Sequence, residues 1–259
     1  MNEVNQTLYI PLYGKALVSR KGIILKDSMA EQIWQAEGFP LRGKSASRWL
    51  AYYMGMRSAV IDRWTEAQMT LDPEAVVLHL GCGMDSRAFR LEGRGAWYDV
   101  DFPAVISERR RYYREKDGYR MIPGDLRRRE WIQALPRGRA IVVMEGLSMY
   151  LRPEELRALL ALLKGHFDHV CLLMDCYSEF AAKASRFRNP INDVGVTQVW
   201  GLDDPEALAR DTGITYLSEH SMTPEELIAQ LKPWEQGVFR KLYAGKFAGK
   251  LYRLYEFES

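Results

Sequence analysis

From Val76 onward, short apolar runs alternate with longer stretches whose apolar residues recur every three or four positions. Val76-Val77-Leu78-His79-Leu80 is the first run; it breaks at Gly81-Cys82-Gly83 and passes into a helix-compatible segment, Ser86 to Leu91. Ala96 to Asp101, Tyr119 to Asp125, Ala140 to Glu145 and Val170 to Cys176 are further runs of strand type. Helical patterns separate them over Val105–Lys116, Arg127–Leu135 and Pro153–Phe167, the last opening with a proline. Strands alternating with helices predict an α/β fold, a doubly wound and mainly parallel sheet with its ligands at the carboxyl edge.

Residues 1–74 read as a helical cap. Asp27 is placed to cap a helix carrying Met29, Ala30, Ile33 and Trp34, which Gly38-Phe39-Pro40 stops. A second helix runs from Ser45 or Ser47 to Met69, with Trp49, Tyr52, Tyr53, Met56, Val60, Ile61 and Trp64 along one apolar stripe. Arg57 interrupts that stripe. Beyond the core at 75–176, the polar stretch Tyr177–Trp200, with Asn189-Pro190 and Gly195, reads as an insertion over the carboxyl edge. Residues 201–259 complete the sheet: a helix over Pro205–Thr212, a strand at Ile214–Leu217, a helix at Pro224–Leu231 and a last strand at Lys250–Phe257. The 259 residues suit one elaborated domain.

The net charge of +2 gives no global argument for nucleic acid or an anionic membrane. No apolar run approaches the roughly 20 residues of a membrane span, and Met1 to Ile10 lacks the pattern of a signal peptide. Cys82, Cys171 and Cys176 read as reduced thiols of a cytoplasmic protein. Arg109-Arg110-Arg111-Tyr112-Tyr113-Arg114 interleaves basic and aromatic residues, but Glu108, Glu115 and Asp117 beside it make it read as a solvated helix face. His166, His169 and the cysteines lack metal-ligand spacing, so no metal is expected.

The chemistry lies where the strands end. Glycines at 81 and 83 can take positive φ and admit a ligand close to the backbone. A dinucleotide fingerprint wants a third glycine where Ser86 stands. The next three strands end in Asp101, Asp125 and Glu145. One acid can accept a ribose diol, one an exocyclic amine, one an ammonium group. That set describes S-adenosyl-L-methionine (SAM) better than NAD, whose pyrophosphate three acids would repel. The bland alternative makes the acids helix N-caps.

These motifs resemble those of the leucine carboxyl methyltransferase family, which includes polyketide O-methyltransferases of the tetracenomycin type. Leu80-Gly81-Cys82-Gly83-Met84-Asp85-Ser86-Arg87 is similar to its SAM motif. Val100-Asp101-Phe102-Pro103, Gly124-Asp125-Leu126-Arg127, Glu145-Gly146-Leu147-Ser148-Met149-Tyr150-Leu151 and Arg57-Ser58-Ala59-Val60-Ile61-Asp62 match further motifs of that family in order. The resemblance covers roughly Tyr13 to Asp175 and implies a class I SAM-dependent methyltransferase with S-adenosyl-L-homocysteine (SAH) as its product. It implies that Arg57 holds the methionine carboxylate, with Lys21 as a second cation. Gly81, Cys82 and Gly83 would approach the methionine part and ribose, Asp101 the diol, Asp125 and Leu126 the adenine, and Glu145 the ammonium. Arg127 and Tyr150 are similar in position to family residues near a substrate carboxylate.

The resulting expectation is O-methylation, on a carboxylate of a small, polyketide-like acceptor. A protein's terminal carboxylate and a SAM-binding module without catalysis are the alternatives. A carboxylate needs no general base, whereas a phenol would; His220, after the sixth strand, is the candidate base for that case. His79 reads as a core histidine.

Overall fold

Among the described residues, three α-helices come first, α1 (Tyr9–Arg20), α2 (Ser28–Glu37) and α3 (Arg48–Leu71). The computed structural model describes residues 8–38, 41, 43–93, 95–185, 198–245 and 250–259. Asp27 caps α2 by accepting the N–H of Ala30 at 2.8 Å, and Gly38 ends it in the left-handed region at φ +57°. Phe39 and Pro40 of the expected stop signal lie outside the described residues. Helices α1 and α3 cross closely. A Cβ on Gly14 would stand 2.7 Å from the Met54 Cβ, and one on Gly55 2.8 Å from Val18 Cγ2. This crossing carries Lys15 and Arg57 to one shared cavity.

The alternating segment follows: β1 (Val76–Leu80), α4 (Arg87–Arg90), β2 (Trp97–Asp101), α5 (Pro103–Arg109), β3 (Tyr119–Pro123), β4 (Arg139–Met144), α6 (Pro153–His166), β5 (His169–Tyr177), α7 (Glu179–Ser185), α8 (Pro205–Thr212), β6 (Thr215–Glu219), α9 (Glu225–Ile228), α10 (Pro233–Phe239) and β7 (Tyr252–Glu258). The seven strands form one sheet in the order β3-β2-β1-β4-β5-β7-β6. The first five pair in parallel, and β7 runs antiparallel between β5 and β6. The expected doubly wound α/β sheet is therefore present.

One face of the sheet, with Leu78, Val142, Leu172 and Met174, packs on Leu156, Leu159, Leu160 and Leu163 of α6. The other, with Val77, Ile141, Val143 and Leu173, packs on Ile61 and Trp64 of α3 and on Leu12, Ala16 and Ile33. The aromatic and methionine stripe of α3 is core, shared between this layer and a third cluster built on Tyr52, Met56, Leu227 and Phe239.

Three expected helices are shorter, among them the one expected over Pro224–Leu231, which is α9 at Glu225–Ile228. The helix expected over Val105–Lys116 is α5, which ends at Arg109; the chain then turns, and Lys116 pairs with Tyr119 around Gly118. The helix expected over Arg127–Leu135 reduces to a single tight turn at Trp131–Ala134. Of the expected insertion, β5 takes Tyr177 and α7 takes Glu179–Ser185, while residues 186–197 lie outside the described residues.

Arg109 corrects the reading of the arginine-rich stretch as a solvated face. It is fully buried, donates to the Gly83 and Asp85 carbonyls at 2.7 and 2.8 Å, and pairs with Asp99. Its neighbour Arg111 is 53% exposed, so the solvated reading holds there. Arg109→Leu leaves the buried Asp99 carboxylate without its cation and is expected to cost about 3–5 kcal/mol in urea unfolding. Arg111→Leu is expected to stay within about 0.5 kcal/mol of wild type.

Candidate active site

Sheet register assembles the site. The row that follows Leu80–Val100–Ile122 on one side and Leu80–Met144–Met174 on the other is Gly81, Asp101, Pro123, Glu145 and Asp175. Parallel pairing thus sets three carboxylates and a glycine turn across one sheet edge. A cavity of about 390 Å³ opens above them.

Its turn requires glycine. Gly81 sits at φ +65°, and a Cβ there would meet Leu147 Cδ1 at 2.9 Å; Gly83 sits at φ +50°. The Gly83 N–H donates to Asp101 Oδ2 at 2.8 Å, and the Phe102 N–H donates to Oδ1 at 2.7 Å. Burial pushes the Asp101 carboxyl above its ordinary value, against the pull of these two donors. Cys82 and Leu126 are buried in the wall.

Arg57 is 3% exposed. Its Nη2 pairs with Glu145 at 3.0 Å, and its Nη1 donates to Asp175 Oδ2 and to the Tyr252 hydroxyl, both at 2.9 Å. Its Nε has no partner among the described residues. Glu145 also takes Arg87 Nη2 at 2.5 Å. Arg87 continues to Asp62 and Arg90 to Asp62, Asp85 and Asp27, while Lys15 meets Asp85 at 2.6 Å. Four cations and five carboxylates thus form one connected, buried network. Burial alone would raise the Glu145 carboxyl, but Arg57, Arg87 and Lys15 outweigh it and hold it at about 2. Asp175 goes the other way. Burial and the nearby Glu145 charge push it up to about 6 despite Arg57.

The structure brings Arg57, Gly81, Cys82, Gly83, Asp101, Asp125, Leu126, Arg127, Glu145 and Tyr150 to this cavity. Lys21 is not among its lining residues. It caps the exposed end of α1, with Nζ donating to the Tyr52 hydroxyl at 2.9 Å. Lys15, two turns earlier in α1, is the buried cation there. Its signal was a lysine inside the apolar helix Tyr9–Arg20. Asp175 was also missed, because it stands inside a strand run rather than at its end. His220 does not line the cavity either; it pairs with Glu256 at 2.6 Å beside β6. His79 is buried in β1 yet touches the cavity, with Nε2 3.3 Å from Arg87 Nη1.

Away from the sheet edge the lining turns apolar: Leu8, Pro11, Leu50, Met54, Phe102, Met149, Tyr177 and Tyr252. The Tyr177 and Tyr252 rings meet edge to face at 4.9 Å. Arg127 is half exposed. Its Nε and Nη2 fork onto Asp125 at 2.8 and 2.7 Å, with Phe102 beneath it at 5.8 Å.

The sequence model of the family described as leucine carboxyl methyltransferase matches residues 3–164. The chain is 32% identical over 259 residues to the tetracenomycin polyketide synthesis O-methyltransferase TcmP of Streptomyces glaucescens, an alignment that covers 96% of each. It is 27% identical over 228 residues to the S-adenosyl-L-methionine-dependent methyltransferase dpfgK of Gibberella zeae, covering 78% of this chain and 76% of that one. Among solved structures it is similar in fold to magnesium protoporphyrin IX methyltransferase (ChlM) from Synechocystis PCC 6803 with bound SAH. The TM-score is 0.52 at 12% identity, over 90% of this chain and 94% of that one. Among the described residues no helix is long and apolar enough to cross a membrane, and no cluster of His, Cys, Asp and Glu could hold a metal.

The ion pairs of Glu145 generate a pH prediction. Its folded value lies below its ordinary 4.5, so the stability it contributes is complete above about pH 4.5 and is lost as pH falls toward 2. Asp175, raised from 3.8 to about 6, opposes this: between those values stability falls as pH rises. Urea unfolding from pH 2.5 to 7 is expected to show a shallower acid limb in Glu145→Gln, on a protein already destabilised by about 3–5 kcal/mol. Asp175→Asn is expected to remove the opposing slope between pH 4 and 6.

Proposed function

Because this chain belongs to the leucine carboxyl methyltransferase family and is a SAM-dependent O-methyltransferase, we propose that it methylates the carboxylate of a small, largely apolar, polyketide-like acceptor. The observation that carries this reading is the pairing, in one cavity, of an apolar aromatic wall with the half-exposed guanidinium of Arg127. The polyketide named for the Streptomyces glaucescens relative supports the skeleton.

The cavity's own residues suit the cofactor. Gly81 and Gly83 line the cavity at positive φ, and Arg57 lines it as a buried cation whose Nε has no hydrogen-bond partner among the described residues. Arg57 would hold the methionine carboxylate, with Lys15 in the place expected for Lys21. Glu145 would meet the ammonium, Asp101 the ribose diol, and Asp125 with Leu126 the adenine. Gly81, Cys82 and Gly83 would give the close backbone approach. When bound, the cofactor supplies a methyl group activated by the adjacent sulfonium.

The protein's remaining work is alignment and exclusion of water. A carboxylic acid of ordinary pKa, about 4, is already ionised at neutral pH and needs no base. Arg127 would hold one carboxylate oxygen, leaving the other free to attack, while Tyr150 and the aromatic wall orient the skeleton. A phenol would need a base, and the described lining histidine, His79, is 1% exposed and held beside Arg87.

The test combines melting and turnover. SAM or SAH at a hundredfold its Kd should add about 2.7 kcal/mol and raise the melting temperature by a few degrees. Asp101→Ala should abolish the shift, and NAD should give none. With a panel of small aromatic acids, phenols and C-terminal peptides, the acids should be methylated at a rate flat from about pH 6 to 9. Arg127→Gln should raise KM about tenfold, the worth of one charge-assisted hydrogen bond, with little change in kcat. A rate that climbs with phenol ionisation, or turnover of the peptides alone, would overturn the small-carboxylate reading.

A further inference from the structure

We propose that Asp175 is a positioning residue for the cofactor site, acting through Arg57. This rests on the reading that Arg57 holds the methionine carboxylate, and it assigns a role to an acid that lies behind the cavity rather than in its lining.

The geometry is three-sided. Asp175 is completely buried in β5, in register with Glu145 and Gly81 across the sheet edge. Its Oδ1 accepts the Gly146 N–H at 2.7 Å, which ties it to the turn that follows β4. Its Oδ2 accepts Arg57 Nη1 at 2.9 Å and the Tyr252 hydroxyl at 3.0 Å, which ties it to α3 and β7. The Ser148 hydroxyl holds its backbone carbonyl at 2.5 Å. One carboxylate therefore joins three separate elements around a single guanidinium.

The donor inventory of Arg57 shows what this does. A guanidinium carries five N–H groups in a fixed plane. Asp175 and Tyr252 accept from Nη1, and Glu145 stands 3.0 Å from Nη2 as an ion pair. Two carboxylates on different nitrogens fix both the position and the plane of the group. Nε is the nitrogen left without a partner among the described residues. Glu145 alone would fix one corner and leave the plane free to rotate. Asp175 removes that freedom before any ligand arrives, so the ordering cost is met in folding rather than in binding.

The charge of Asp175 makes a contrary demand. A second anion beside Arg57 repels a ligand carboxylate, so a role in charge alone would make its neutralisation tighten binding. Positioning predicts the opposite sign. Asp175→Asn keeps size and an acceptor for Gly146, and loses the charge-assisted bond to Nη1.

Affinities for SAH and 5′-methylthioadenosine, measured by calorimetry on wild type and Asp175→Asn, separate these roles. The second ligand keeps the nucleoside and lacks the amino-acid carboxylate. The expected result is SAH binding weakened about tenfold, the worth of one charge-assisted hydrogen bond, with methylthioadenosine binding unchanged. SAH binding that is unchanged or tighter overturns the proposal, and so does an equal loss for both ligands. Tyr252→Phe, which removes one tether of Asp175 and one acceptor of Arg57 without a buried charge change, should give a smaller loss confined to SAH; no loss there overturns the proposal if Asp175→Asn does not fold. Wild type that binds neither ligand would instead sink the cofactor reading itself.

Discussion

A guanidinium cannot be buried without acids to meet it, and the architecture around this cavity follows from that constraint at Arg57. Its charge enters the interior because α1 and α3 cross closely at Gly14 and Gly55. It survives there because β4 and β5 set Glu145 and Asp175 in one row. Desolvating such groups costs several kcal/mol each, and their mutual attraction repays this only when geometry and hydrogen bonding are nearly complete. Here the acids are shared. Glu145 serves Arg57 and Arg87, and Asp62 serves Arg87 and Arg90. Moving any one element would strand a charge on another, so the network is better regarded as a device that fixes geometry than as a source of stability.

Fixed geometry is what a methyl transfer requires of a protein. No proton must be moved when the acceptor is already ionised, so the rate depends on how well two ligands are held in line and kept from water. The polar row at the sheet edge and the apolar wall opposite divide the cavity accordingly. The Tyr252 ring belongs to the wall while its hydroxyl belongs to the Arg57 cluster, so one residue links the two halves.

Much of this was legible in the sequence, for a physical reason. Alternating runs and glycine turns are local patterns, and register then obliges the ends of parallel strands to converge; Gly81, Gly83, Asp101 and Glu145 were found that way. What local pattern does not encode is whether a charged side chain meets a partner from elsewhere in the chain. Arg109 looked solvated because its neighbours are acidic, yet its partner is Asp99, one strand away. Lys21 carries the family resemblance and Lys15 does not, although Lys15 lies within an apolar helical stretch, where a charge implies a buried partner. Asp175 was hidden by an apolar run that continues past it to Cys176, and its place in the row emerges only from pairing with β4. His220 follows a strand as a catalytic base might be expected to, but that strand is the sheet's outer edge, joined to it through β7.

The contrast between the two arginines of the cavity carries a last consequence. Arg57 is locked by buried acids, and releasing it would leave carboxylates unpaired in the interior. Arg127 holds Asp125 in a bidentate fork, but both side chains are partly in water, 49% and 26% exposed. Exposed pairs are worth about 0–1 kcal/mol, so Arg127 can turn toward an acceptor anion at little cost, and Asp125 toward an amine. Rigid charge thus lies with Arg57, proposed above to meet the cofactor, and exchangeable charge with the Arg127–Asp125 pair at the rim. The same sheet edge provides both because Glu145 and Asp175 sit in the buried centre of the row, whereas Asp125 stands two residues beyond the end of β3, where the chain has already left the sheet.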